Sequence, residues 1–317
     1  MPVDPQIQVI IDLLAQSGAA DLVRGTPQQA RAFARLSTRA DRSALVQVGS
    51  IDDQHIVGPG GALAVRIYRP QRVGPVPTVV FFHGGGFVTG DLDSHDDHGR
   101  MICRDVEAVV VSVAYRLAPE HRFPAAYQDC LAATRWAAEN IASLGGDPDR
   151  LGVAGDSAGG NLTAAVATAA STAGPRLAAQ MLIYPKTDFT DNAAYQSRID
   201  NNEGYYLTGE LSDWLHNHYI AAEDVRDPRV SVIFAEDLTR VAPTVVGVGE
   251  YDLLRDEVEA YAARLSEAGV KVVLHRFDGL IHGFYGMGLM STAAADAVST
   301  LNGDFRRLLN QARDTPS

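Results

Sequence analysis

The stretch Gly155-Asp156-Ser157-Ala158-Gly159-Gly160-Asn161 decides the fold, because of what stands on either side of it. Before it, Arg150-Leu151-Gly152-Val153-Ala154 reads as a short buried strand. After it, Leu162 to Ala170 is alanine-rich and holds no helix breaker. A serine with glycine two residues before and two after, on a turn from strand to helix, has the form of a nucleophile elbow. Such a turn strains the serine backbone and brings the flanking positions together, so glycine is required at both. The hydroxyl then stands at the carboxyl edge of a sheet with a helix N-terminus behind it. Alone, the same residues also describe a glycine-rich helix start with an N-capping serine, so the decision needs a second motif.

That motif is His83-Gly84-Gly85-Gly86, directly after the apolar run Pro77 to Phe82. Glycines let backbone N–H groups crowd around a developing negative oxygen. The N–H groups of Gly84, Gly85 and Ala158 are therefore the expected oxyanion hole. The remaining members of a triad should follow in the order acid, then histidine. His275 falls inside the alternating strand pattern Lys271 to Phe277, whereas His282 lies past the strand end beside Gly283, which makes His282 the base. Asp252 is the first acid beyond the buried run Pro243 to Glu250, with Glu250 as its nearest rival. Asp256 and Glu257 read as first-turn helix residues or surface pairs. Serine needs a base within hydrogen-bond reach, and the imidazole needs an acid to fix its tautomer. Ser157, His282 and Asp252 in these roles give acyl transfer to water through an acyl-enzyme.

With these residues in view, the chain resembles the hormone-sensitive lipase-like family of α/β-hydrolase carboxylesterases, in the branch with a GDSAG nucleophile motif. The matching stretches are His83 to Phe87, Tyr115 to Glu120, Phe123 to Ala126, Gly155 to Asn161, Asp252 to Glu257 and His282 to Phe284. They run from the third strand to near the chain end in the family's order. The resemblance implies the α/β-hydrolase fold, cleavage of short- to medium-chain acyl esters, no cofactor, and a cap over the active site. Leu253 stands where the family often has proline, a departure with no expected effect on the chemistry.

Composition sets limits. The chain has 317 residues, a formal net charge of -12 and a pI near 5.1. Its length suits one α/β domain spanning 1–317, and its acidity argues against nucleic acid or an anionic membrane as partner. Cys103 and Cys130 form no disulfide framework and no metal spacing, and read as small buried apolar residues. The N-terminus has acids where a signal peptide carries positive charge. Ile7, Ile10, Ile11 and Leu14 fall at helical spacing in a segment too short to span a bilayer. A soluble cytoplasmic protein acting on a small-molecule ester, monomeric or homodimeric, is expected.

Strand-like runs recur at Leu45 to Val48, Leu63 to Tyr68, Thr78 to Phe82, Val109 to Val113, Gly152 to Gly155, Gln180 to Tyr184, Thr244 to Val248 and Val272 to Phe277. Helical stretches separate most of the later pairs. The sheet should be mostly parallel, flanked by helices on both faces, with an antiparallel strand in the early meander. Residues 1 to about 45 and about 186 to 235 break this alternation, and are expected to form a helical cap above the strand ends, where ligands bind in open α/β sheets. Within the second segment, Tyr206, Leu207 and Trp214 are the candidate pocket residues.

Asp93-Ser94-His95-Asp96-Asp97-His98 has the look of a metal cluster, but it stands where a helix should begin, with Asp93 or Ser94 as cap. No metal and no cofactor are expected, since the spacing fits no common zinc site and no nucleotide motif is present. A triad does not by itself choose between esters and amides. An amidase, or a non-catalytic small-molecule receptor on the same fold, are the alternative readings.

Overall fold

The computed structural model describes residues 2–17, 25–37, 45–72, 74–191 and 194–312. Among them, one sheet contains the strands β1 (Ser50–Gly58), β2 (Gly61–Arg69), β3 (Val76–Phe82), β4 (Val109–Val113), β5 (Gly146–Asp156), β6 (Ala179–Ile183), β7 (Thr244–Tyr251) and β8 (Val272–Ile281). Their order is β1-β2-β4-β3-β5-β6-β7-β8. β2 runs antiparallel to both β1 and β4, and every other pairing is parallel. The antiparallel strand expected in the early meander is thus present. Every residue of β3, β4 and β6 is buried, which requires helices on both faces and explains why these strands read as continuous apolar runs.

The helices are α1 (Pro5–Gln16), α2 (Pro27–Ser37), α3 (Asp96–Val106), α4 (Ala125–Glu139), α5 (Ala158–Ala173), α6 (Ser197–Asp200), α7 (Gly209–Tyr219), α8 (Arg255–Glu267) and α9 (Thr292–Gln311). α5 packs on β3, β5, β6 and α4, while α9 packs along β5 to β8 and against α3. Cys103 on α3 and Cys130 on α4 are buried and unpaired with each other. None of the described helices is long and apolar enough to cross a membrane.

Two local expectations are corrected. Leu45 to Val48 is not a strand; the first strand is Ser50–Gly58, whose residues are mostly exposed and so lack the apolar alternation that marks a strand in sequence. Neither Asp93 nor Ser94 caps α3. His95 occupies the N-cap without a side-chain bond to the helix, while Ser94 instead exchanges hydrogen bonds with Asp91.

The segments 1–45 and 186–235 contain no strand among the described residues. In α1, Ile7 and Ile10 are buried, and Asp4 caps the helix while its N–H donates to Gly279 O beside the end of β8 (3.0 Å). Arg31 of α2 donates to Val88 O (2.8 Å) and Ala118 O (2.7 Å), tying that helix to the loop after the glycine turn. α7 is capped by Thr208 and buries only Tyr219. Its Leu215 lies where a side chain on Gly86 would be, so α7 covers the glycine turn.

Candidate active site

β3 and β5 are parallel neighbours with Phe82 paired to Gly155, so the chain leaves both strands at the same level of the sheet. His83-Gly84-Gly85-Gly86 therefore lies beside Asp156-Ser157-Ala158, although the two motifs are far apart in sequence. Ser157 has φ 54° and ψ -115°, the strained conformation expected of the elbow, at a cost of about 1–3 kcal/mol. Surrounding packing holds it there. A Cβ on Gly159 would sit 1.9 Å from Phe82 O, and one on Gly155 2.3 Å from Gly159 O.

On the other side, Tyr251 at the end of β7 pairs with Ile281 at the end of β8, after a register shift past Gly249. The next residue of each strand is Asp252 and His282. His282 Nε2 lies 2.9 Å from Ser157 Oγ, and Nδ1 lies 2.8 Å from Asp252 Oδ2. Both bonds form together when the serine hydroxyl donates to Nε2 and the Nδ1–H donates to the carboxylate. Asp252 is fully buried, and its other oxygen accepts the N–H of Leu254 at 2.8 Å. Tyr184 packs against the imidazole, with ring centroids 4.6 Å apart. The rivals are engaged elsewhere: Glu250 accepts from Gly279 N (2.9 Å), and His275 meets Asp304 (2.7 Å).

Gly84 departs from expectation. Its N–H donates to Asp156 Oδ1 (2.8 Å), so it is spent on the elbow's own acid and not offered toward the serine. The N–H groups of Gly85, Gly86 and Ala158 make no hydrogen bond to another described residue. In sequence the three glycines look alike; only Gly84's partner, 72 residues away, sets it apart from Gly85 and Gly86. His83 braces the same turn, its Nδ1 lying 2.8 Å from Gly84 O.

Behind this turn, His95 Nε2 lies 3.6 Å from Asp156 Oδ2, with the His98 ring tilted against His95 at 4.8 Å. Burial by itself would push the Asp156 carboxyl up, but the nearby His95, with His98 and His83, holds it down to about 2. Burial, then the nearby His95, pulls both His83 and His98 down to about 4. Donor atoms of His95, His98 and Asp156 lie within 4.8 Å of one another, the one such His and carboxylate grouping among the described residues with spacing open to a metal ion. The chemistry of the serine calls for none.

A cavity of about 40 Å³ opens on Ser157, walled by Gly86, Phe87, Ala158, Phe189, Leu207 and Leu215, among others. Of the pocket residues expected from sequence, Leu207 lines it. Tyr206 is exposed and lies against Gly283, next to the histidine. Trp214 points elsewhere: it packs on His218 at 4.4 Å and is absent from the cavity wall. Glu257 is not a surface residue but fully buried, collecting hydrogen bonds from Thr187, Asp188, Lys186 and Arg198. Lys186 and His216, which also line the cavity, carry no sequence signal because each is brought there by tertiary packing.

Comparison with known proteins agrees with this geometry. Residues 79–286 match the family model described as alpha/beta hydrolase fold. The chain is 41% identical over 269 residues to the carboxylic ester hydrolase LipN of Mycobacterium tuberculosis, covering 82% of this chain and 71% of LipN. It is 35% identical over 288 residues to an arylesterase of Saccharolobus solfataricus, covering 90% and 93% of the two chains. Its structure superimposes on a hyperthermophilic esterase from the archaeon Pyrobaculum calidifontis with a TM-score of 0.91 at 38% identity, over 97% of this chain and 99% of that one. The strained serine between two glycines thus sits in a carboxylesterase, and the chain belongs to the hormone-sensitive lipase-like family of the α/β-hydrolase fold.

Proposed function

We propose that the enzyme hydrolyses short- to medium-chain acyl esters with Ser157 as nucleophile, His282 as general base and acid, and Asp252 as its orienting partner. The observation that carries this reading is the unbroken line of hydrogen bonds from Ser157 Oγ through the imidazole to the buried carboxylate. Ser157 Oγ attacks the ester carbonyl carbon while its proton passes to His282 Nε2. The carbonyl electrons move onto oxygen, where the N–H groups of Gly85, Gly86 and Ala158 receive them. Each such donor contributes about 3–4 kcal/mol to transition-state stabilisation. Collapse expels the alcohol, which takes the proton from Nε2. A water then repeats the sequence on the acyl-enzyme and releases the acid. Asp252 keeps Nδ1 protonated and stabilises the imidazolium at each stage.

The described residues within 1–45 and 186–235 form the cap in this reading, with α7 as the lid of the acyl cavity. A small cavity of about 40 Å³ with a mostly apolar wall suits acyl chains of modest length. The test is turnover of p-nitrophenyl esters from acetate to palmitate, wild type beside Ser157→Ala. The expected result is a maximum at short or medium chains and a loss of about 10⁴-fold or more in kcat for the variant. Turnover surviving in the variant would overturn the assignment of the nucleophile.

A further inference from the structure

The cavity on Ser157 is apolar over most of its wall, but three polar side chains interrupt it: Lys186, just after β6, and Ser212 and His216, one turn apart on α7. The Lys186 side chain is only 14% exposed. Its Nζ lies 3.2 Å from Glu257 Oε2 and 5.5 Å above the Phe189 ring, with no other acceptor among the described residues. An ammonium has three N–H donors, so two are left without a partner among the described residues at the edge of the acyl cavity. Burying a cation so incompletely paired is costly, and an apolar side chain would fill the same space more cheaply.

Glu257 does not depend on the lysine. Arg198 Nη2 holds Oε2 at 2.5 Å, and the N–H groups of Thr187 and Asp188 hold Oε1 at 2.7 and 3.2 Å. Asp188 turns its own carboxylate to Thr190 and Tyr195. Ser212 Oγ and the His216 ring nitrogens make no hydrogen bond to another described residue, the His216 ring resting edge-on against Phe189 at 5.1 Å. Lys186 and His216 both rest on Phe189, and with Ser212 they give three hydrogen-bonding groups in the wall of the cavity that holds the nucleophile.

We propose that Lys186, Ser212 and His216 form a polar acyl subsite, and that the enzyme favours esters whose acyl chain carries an oxygen acceptor, either a keto oxygen or a free carboxylate. This rests on the reading of Ser157 as nucleophile, which places the acyl group in this cavity. The inference concerns specificity, since none of the three residues touches the reacting atoms.

The test compares three p-nitrophenyl esters of equal chain length: pentanoate, 4-oxopentanoate and the glutarate monoester. In the wild type at least one oxygenated ester should exceed pentanoate in kcat/KM. The 4-oxopentanoate arm reports hydrogen bonding alone, and the glutarate arm adds charge. Lys186→Met should lower kcat/KM for the favoured oxygenated ester about ten- to a hundredfold relative to pentanoate measured in the same variant. Ser212→Ala, a milder change on α7, should cut the same preference by a smaller factor. If both oxygenated esters are poorer than pentanoate in the wild type, or if Lys186→Met lowers all three equally, the subsite is overturned. Failure of the wild type on all three esters would instead count against the esterase reading itself.

Discussion

Two regions face the same cavity and are built on opposite plans. From Gly155 to Asn161 every residue except Ser157 is buried, and the backbone there is fixed by contacts on all sides. Across the cavity, α7 keeps only Tyr219 buried and lends its half-buried face to the wall. The elbow holds a strained conformation that survives only because its surroundings leave no alternative. The helix opposite has no residue at positive φ and is held by a half-buried face. Reactivity is placed where the fold is over-determined, and selectivity where it is not.

The strongest way to break this contrast is Gly159→Ala. The added methyl would meet Phe82 O at 1.9 Å, a backbone atom that cannot swing aside. We expect a loss of at least about 3 kcal/mol in stability, or no folded protein, read by thermal melting. A variant that melts like the wild type would show that the elbow is looser than its packing implies.

A second probe is acid. His83 and His98 are held neutral in the folded state, with pKa values pulled down to about 4 by burial first and His95 next, against an ordinary 6.5. Between those values the unfolded chain binds more protons than the folded one, so stability falls as pH drops from about 6.5 toward 4. The loss approaches about 3 kcal/mol for each ring at the acid end. Asp156 adds a further loss below its ordinary range, toward pH 2, where its depressed carboxyl finally takes a proton. Melting temperature against pH should therefore slope down through this window, and His98→Leu should flatten it. An equal slope in the variant would remove His98 from the account.

The smallest effect belongs to the helix. Leu215→Ala should cost only about 1 kcal/mol, because the side chain is half-buried. It should nevertheless raise the rate on octanoate relative to butyrate by enlarging the wall over Gly86. An unchanged ratio of the two rates would show that α7 does not shape the acyl cavity.

The same division governs what the sequence discloses. Ser157, Asp252 and His282 are each one residue past a strand, and a strand end is visible as the close of an apolar run. Their positions could be read without knowing any contact. The donors of the glycine turn could not, since Gly84 is withdrawn by a carboxylate distant in sequence. β1 was invisible because its residues face solvent and carry no alternation. Trp214 and Lys186 show the limit most plainly. Trp214 reads from sequence as a pocket residue yet packs on His218, while Lys186 belongs to no motif yet lines the cavity.

The bond from Gly84 N–H to Asp156 has a consequence for biosynthesis. The ribosome releases the glycine turn well before the acid that braces it, and β3 meanwhile lacks β5, the neighbour that fixes its level in the sheet. A nascent chain that ends short of the elbow therefore carries the turn in an unbraced form. The elbow segment delivers the nucleophile and the strut together, and competence waits for Asp252 and His282 still later in the chain. Truncated or stalled products of this chain should consequently be inert toward esters, with no partial activity to be lost or regulated.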